Sequence, residues 1–308
     1  VSLTLTEEQV QLSDTIRSWF ETSYPLSEVR KVFNGQRAEL KLAELTELGL
    51  AEISVSEDSS SGRDFTLDFT LRELGLFAFE CGYALAPSAL HLKILRQQDD
   101  AKQAKPISFF FDNGKKCIHF GIKDGEMLDR SQVFTVRDSV AAGLSKPDKT
   151  TSDAIYHCKM QALLANEAAG ICARGINLTK DYVVTRKQFG RPIGTFQAVQ
   201  HKLADLFLLA ESLRTSAQFS CWAGSSYSGK MISPQFPFSS AAAATLASEV
   251  TGQIIEGCIQ LHGGIAFTWE HDLHLLLRRA NLLKLILKLD SHTEEIIFAG
   301  ALNGTSTL

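Results

Sequence analysis

The chain has 308 residues, an apolar fraction of 44% and a formal net charge of −4. That length buries a sizeable core shared among two or three packed subregions, and the slightly acidic balance leaves no electrostatic footprint for nucleic acid. No stretch of about 18 uninterrupted apolar residues occurs, so no membrane-spanning helix is predicted. Val1 to Gln9 shows no basic run followed by an apolar one, so no signal peptide is expected. The cysteines (Cys81, Cys117, Cys158, Cys172, Cys221 and Cys258) are scattered without a C-x-x-C pair, which reads as buried thiols in a reduced, cytoplasmic protein.

Residues 1–104 read as a helical N-terminal region. Thr6-Glu7-Glu8-Gln9 is a capping-box pattern, after which Leu12, Ile16, Trp19 and Phe20 recur on one helical face. A second helix is expected from Ala38 to Leu48, stopped by Gly49, and a serine-rich loop from Glu57 to Gly62. Helical spacing returns from Phe65 to Leu85, closed by Pro87. The character changes in residues 105–150. Ile107 to Phe111 is a β-type run, Asp112-Asn113-Gly114 a hairpin signal, Cys117 to Ile122 the return strand, and Val133 to Val136 a third strand.

Residues 151–308 read as a helix bundle. Asp153 to Thr185 predicts one helix of roughly 50 Å at 1.5 Å per residue, and its small residues, Ala165, Ala168, Ala169, Gly170, Ala173 and Gly175, let a neighbour approach closely. Phe196, Val199, Leu203, Leu206, Phe207, Ala210 and Leu213 form an apolar stripe at bundle spacing. Ser239 to Gly257, Glu270 to Leu289 and Ser291 to Leu302 complete the helices. The predicted fold is therefore mainly α: a helical region, a small β segment and a C-terminal four-helix-type bundle.

Two segments carry chemistry. Thr185-Arg186-Lys187-Gln188-Phe189-Gly190-Arg191-Pro192-Ile193, followed by Phe196-Gln197 and Gln200-His201, lies where one long helix stops and the next starts. A guanidinium donates in pairs and stays protonated, which suits a diphosphate. Gln197 adds an amide at a helix start, where free N–H groups also favour an anion. A single arginine beside a helix turn is ordinarily a surface residue, but the combination R-x-x-F-G-x-P-I-x-x-F-Q-x-x-Q-H is far more specific. The second segment, Gln260-Leu261-His262-Gly263-Gly264, sets side-chain donors beside two glycines that permit close backbone approach. A lone Gly-Gly usually marks only a helix end. Here Ile265-Ala266-Phe267-Thr268-Trp269-Glu270-His271-Asp272 and then Arg278-Arg279-Ala280 follow it.

In this order and spacing the two segments resemble the acyl-CoA dehydrogenase family of flavoenzymes. Thr268-Trp269-Glu270-His271-Asp272-Leu273-His274 is similar to the wording of bacterial members, including those acting on steroid-derived CoA esters. Ala84-Leu85-Ala86-Pro87 also looks familial, whereas Ala266 stands where a glycine is common. The resemblance implies FAD shared between neighbouring subunits. Arg186, Phe189, Gln197, Gln260, Leu261, His262, Gly263 and Gly264 would contribute to its diphosphate and adenosine side.

The same comparison exposes what is missing. The reaction needs a carboxylate base beside the carbon next to the thioester. By motif position the two sites that hold it in the family fall on Leu287 and Met160, and neither is acidic. Glu167 lies about two helical turns from Met160. Glu270 reads better as the opening of a helix, where an acid favours the dipole. The β segment is also too short to wall a flavin ring, since family members have one about twice this size or more. No catalytic residue is therefore assigned.

His271 and His274 lack a third metal ligand at suitable spacing, so no metal site is expected. Arg278-Arg279 reads equally as a phosphate contact or as a salt-bridged helix face. The resemblance points to the short, non-catalytic subunit of a heteromeric dehydrogenase. Its partners would be a full-length homologue carrying the base, in an α2β2 assembly, the acyl-CoA substrate, and electron-transfer flavoprotein as electron acceptor. A self-sufficient homomer with an unusual base and a flavin-free scaffold are the alternatives.

Overall fold

The computed structural model describes residues 4–33, 41, 44–45, 70–98, 107–111, 116–120, 135–138, 151–225 and 232–288. The expected helix at Ala38 to Leu48 falls mostly outside the described residues. The loop from Glu57 to Gly62 and the helix from Ser291 to Leu302 fall wholly outside them.

The elements run α1 (Glu7–Ser23), α2 (Leu26–Phe33), α3 (Leu71–Ala84), α4 (Ala89–Gln98), β1 (Ile107–Phe111), β2 (Lys116–Phe120), β3 (Thr135–Asp138), α5 (Thr151–Thr185), β4 (Lys187–Gln188), β5 (Arg191–Pro192), α6 (Gln197–Ala223), α7 (Phe236–His262) and α8 (Leu273–Lys288). Short 3₁₀ turns occupy Ile193–Thr195 and Gly263–Phe267.

The capping box before α1 is present: Gln9 N–H donates to Thr6 Oγ1 at 3.2 Å, and Thr6 N–H donates to Gln9 Oε1 at 3.1 Å. A second box, not recognised in the sequence, opens α3, where Thr70 and Glu73 exchange the same two bonds. Such reciprocal pairing satisfies donors that a helix start otherwise leaves free. α1 then buries Ile16 and Phe20, and Phe20 packs with Trp19, Tyr24 and Phe77 in an aromatic cluster.

The close approach expected of the long helix is realised at its crossing with α3. A Cβ on Gly82 would lie 2.0 Å from the Glu167 carbonyl oxygen, and one on Gly170 would lie 1.9 Å from that of Phe79. Each helix therefore presents its glycine to the other's backbone, and alanine fits at neither place. α5 also packs on α6 and α7. Asn166 Nδ2 donates to Ala217 O at 3.0 Å across the first contact, and a Cβ on Gly175 would meet Ile255 Cδ1 at 2.6 Å across the second. One apolar core runs from Ile16 through Phe77, Leu163 and Leu213 to Leu287, so the N-terminal helices and the bundle share it.

The β segment is a three-stranded antiparallel sheet in the order β1-β2-β3, with Phe111 opposite Lys116 and Cys117 opposite Arg137. The two expected hairpin strands pair, the turn at Asp112-Asn113-Gly114 lies outside the described residues, and the third strand runs Thr135–Asp138, two residues later than the expected Val133 to Val136. Among the described residues no helix is long and apolar enough to cross a membrane, and no group of three or more His, Cys, Asp or Glu side chains is placed to hold a metal ion.

Candidate functional site

α5 ends at Thr185, and Arg186 N–H still donates to Tyr182 O at 2.8 Å. The chain then reverses through a two-residue turn. Lys187 pairs with Pro192 and Gln188 with Arg191, leaving Phe189 (φ 52°) and Gly190 (φ 81°) at the tip. Positive φ at both central residues is what a type I′ hairpin turn requires, and it is an uncommon state for phenylalanine. Ile193 N–H closes the turn by donating to Arg186 O at 2.8 Å. Phe189 is 91% exposed and the Arg186 side chain also faces solvent. Arg191 instead lies over the Phe196 ring, 4.2 Å from its centroid.

Phe196 precedes α6 with extended backbone and no side-chain cap. The first turn of a long helix, beginning with the exposed Gln197, thus keeps backbone donors free of any side-chain acceptor. No acidic residue occupies that turn. An arginine, an amide and a helix start suit a diphosphate. Gln200 Nε2 is engaged locally, donating to Gly194 O at 3.0 Å.

The second segment closes α7. Gln260 is exposed, Leu261 is half-buried and His262 is buried. Gly263 ends the helix at φ 68°, with its N–H on Gln260 O and Ile259 O. A Cβ on Gly263 or Gly264 would meet nothing within 4 Å. Gly263 needs its missing side chain for φ, but φ at Gly264 is not positive. Among the described residues, packing gives no reason for that second glycine, which leaves the backbone open to close approach by a ligand. The donor set and this bare turn therefore fit the diphosphate side of FAD.

His262 does not present itself as a free donor. A carbonyl oxygen only accepts, so the 2.9 Å contact between His262 Nδ1 and Cys258 O places a proton on Nδ1 and engages it. Burial, with the neighbouring His271 as a lesser cause, holds its pKa below the usual histidine value. Its ring stacks on Tyr182 at 4.3 Å between centroids and meets His271 edge-on at 4.7 Å. His262 thus acts as a wedge under the glycine turn.

Tyr182 is the residue that sequence reasoning missed. It lies one helical turn before Arg186, stacks on His262, and its hydroxyl donates to His262 O at 3.2 Å. Through it the two sequence-predicted segments, 74 positions apart between Arg186 and Gln260, are joined at one end of the bundle. The available signal was its placement four residues before the motif arginine, on the same helical face.

The positions where a base was sought are filled by apolar core: Met160 and Leu287 are each 3% exposed. Glu167 is fully buried, with Oε1 accepting from Arg279 Nη1 and from Ser88 Oγ, each at 2.7 Å. His91 Nε2 lies 3.4 Å from its Oε2. Of the two readings left open for Arg278-Arg279, Arg279 takes the ion pair, internally rather than on a surface. Arg278 is exposed and lies over the Trp269 ring. Glu270 does not open a helix, because α8 begins at Leu273 and Asp272 caps it through its carbonyl. The Glu270 carboxyl is solvent-exposed and held below its usual pKa by its own backbone N–H and the Thr268 hydroxyl.

Residues 159–286 match the family model "Acyl-CoA dehydrogenase, C-terminal domain". Over that stretch, less than half of its length, the chain is similar to an acyl-CoA dehydrogenase C-terminal domain. The acyl-CoA dehydrogenase IpdE2 of Mycobacterium tuberculosis is 42% identical over 119 residues, covering 39% of this chain and 34% of that protein. The Mycolicibacterium smegmatis IpdE2 match covers 50% of its length, so the chain spans between a third and a half of these curated relatives. Solved structures extend the likeness in fold beyond the domain. The ChsE4-ChsE5 complex from Mycobacterium tuberculosis aligns with TM-score 0.67 at 17% identity, covering 98% of this chain and 99% of that one. A Tcur3481-Tcur3483 steroid ACAD variant aligns with TM-score 0.68 at 20% identity, covering 99% and 100%. The matched stretch carries both site segments, and the fold expected from the sequence is the one observed.

Proposed function

We propose that this chain is the non-catalytic subunit of a heteromeric, FAD-dependent acyl-CoA dehydrogenase. It holds the diphosphate and adenosine side of the cofactor. A full-length homologue supplies the glutamate base and the wall against the flavin ring. The reaction would be α,β-desaturation of an acyl-CoA thioester, for which FAD held by Arg186 and Gln197 would supply the hydride acceptor. Electrons pass on to electron-transfer flavoprotein, the assembly is α2β2, and the compartment is the cytoplasm. The acyl group is steroid-derived, a reading supported by the steroid ACAD among the structural relatives.

The observation that carries this reading is a division within one domain. The Arg186 turn and the Gly263-Gly264 turn are both open to solvent and joined by the Tyr182–His262 stack. Met160 and Leu287, in contrast, are packed into the core where a base is needed. In this chain Arg186 and Gln197 bind the anion, the helix start orients it, and no side chain takes up the substrate's α-proton.

The test is purification alone and with the homologue. The chain alone should be colourless and inactive, the complex yellow and active, and Arg186→Ala in the complex should lose most of its flavin. An active yellow homomer would replace this reading with self-sufficient catalysis. Unchanged flavin in the Arg186→Ala complex would replace it with a scaffold role.

A further inference from the structure

Resting on that reading, we infer that Arg30 is a positioning residue for the cofactor-facing turn, holding the stretch after Gly263-Gly264 in place from the N-terminal helices. Arg30 lies on α2, about 240 residues away in sequence from what it holds. Its Nη1 donates to Trp269 O at 2.6 Å, and its Nη2 donates to Glu270 O and, at 2.6 Å, to Asp272 Oδ1. One planar fork thus ties two consecutive carbonyls and the carboxylate just before α8, a pattern that a single ammonium does not reproduce.

Among the described residues, the rest of what fixes this stretch is local: the Trp269 ring stacks on His274 and lies under Arg278, and Leu273 N–H donates to His271 Nδ1 at 3.3 Å. Residues 268–272 form neither helix nor strand, and their own backbone ties are Thr268 N–H to Ile265 O and His271 N–H to Thr268 O. Trp269 is half exposed and Phe267 more so, so the ring contacts of Trp269 lie at the surface rather than in the core. The same stretch carries His271, whose ring packs 4.7 Å from His262, directly before the two bare glycines. The mechanical line runs from Arg30 through residues 269–272 to His271, then to His262 and the turn. Arg30 is one-quarter exposed, as is Asp272, so solvent can reach the space that its removal leaves.

The experiment uses the protein as purified with its accompanying subunit, in wild-type, Arg30→Ala and Arg30→Lys forms. FAD is the probe, with its dissociation constant read by flavin fluorescence. Amide hydrogen exchange is followed in residues 263–272 and, as a control, in α5 and α6. The expected result is about tenfold weaker FAD retention in Arg30→Ala. Exchange should rise at 263–272 alone, Arg30→Lys should recover only part of the loss, and the KM for acyl-CoA at saturating FAD should not change. Wild-type protein that holds no FAD overturns the site reading and this inference together. FAD affinity in Arg30→Ala equal to that of wild type overturns this inference alone. So does exchange that rises equally through α5 and α6, which would make Arg30 a general stabiliser.

Discussion

Arg279 and Glu167 form an ion pair of 2.7 Å with side chains 1% and 0% exposed. Arg279 Nη1 also donates to Ala86 O at 2.9 Å. α8, α5 and the turn after α3 are therefore pinned at one point. A buried pair gains little over an apolar replacement, but removing one partner strands the other charge. Glu167→Leu should lower unfolding free energy by about 3–5 kcal/mol. The double variant Glu167→Leu/Arg279→Met should recover most of it, as read by urea unfolding. Equal loss in the single and double variants would show that the pair is not coupled.

His91, beside that carboxylate, predicts an acid sensitivity. Burial is the main cause that pushes its pKa down to about 4, with Glu167 opposing. A depressed histidine means that the unfolded chain binds the proton first. Its contribution is complete above the unfolded value near pH 6.5 and is lost as pH falls toward 4. Unfolding free energy should fall by up to about 3 kcal/mol across that window. His91→Gln should flatten the slope there, measured as urea midpoints at half-unit pH steps.

Glycines of two kinds should separate in one assay. Gly82→Ala puts a carbon 2.0 Å from the Glu167 carbonyl oxygen, which should cost about 3 kcal/mol or more by forcing the helices apart. Gly264→Ala meets nothing within 4 Å. It should leave Tm within about 1 °C while weakening FAD retention, because most surface changes are near neutral. Unaltered flavin in Gly264→Ala would count against a ligand at that turn.

Tyr182→Phe keeps the ring on His262 and removes the hydroxyl that donates to His262 O. An exposed-edge hydrogen bond of this kind contributes about 1 kcal/mol. Flavin affinity should fall a few-fold in Tyr182→Phe and further in Tyr182→Ala, with Tm changing less than affinity in rank order. A larger loss in Tm than in affinity would make Tyr182 a packing residue only.

Local signals were readable in the sequence where the physics is local. The Thr6–Gln9 box, the Phe111 to Lys116 reversal and the halt of the long helix at Thr185 each depend on residues within a few positions of one another. The short helix Leu26–Phe33 and the helix Ala89–Gln98 after Pro87 were not read, because short helices are stabilised by packing more than by their own sequence. Arg278 and Arg279 look identical in sequence, yet neighbouring residues on a helix point about 100° apart, and only the partner helices decide which is buried. Glu270 misled for a related reason. An acid favours a helix start, which suggested one at Glu270, but Arg30 holds its carbonyl in a turn and the helix waits until Leu273. The residues proposed to face the cofactor come from motifs, while Tyr182, which joins the two segments, is an ordinary aromatic until the two helix ends are seen together.

The crossing of Gly82 and Gly170 sets where this protein can tolerate change. Neither position accepts even a methyl group, since each opposes another helix's backbone rather than a movable side chain. The turns proposed to face the cofactor, by contrast, stand in open space among the described residues at Gly190, Gly263 and Gly264. Random substitution would therefore strike folding hardest at this seam. Substitution at the open turns would leave a well-folded shell behind.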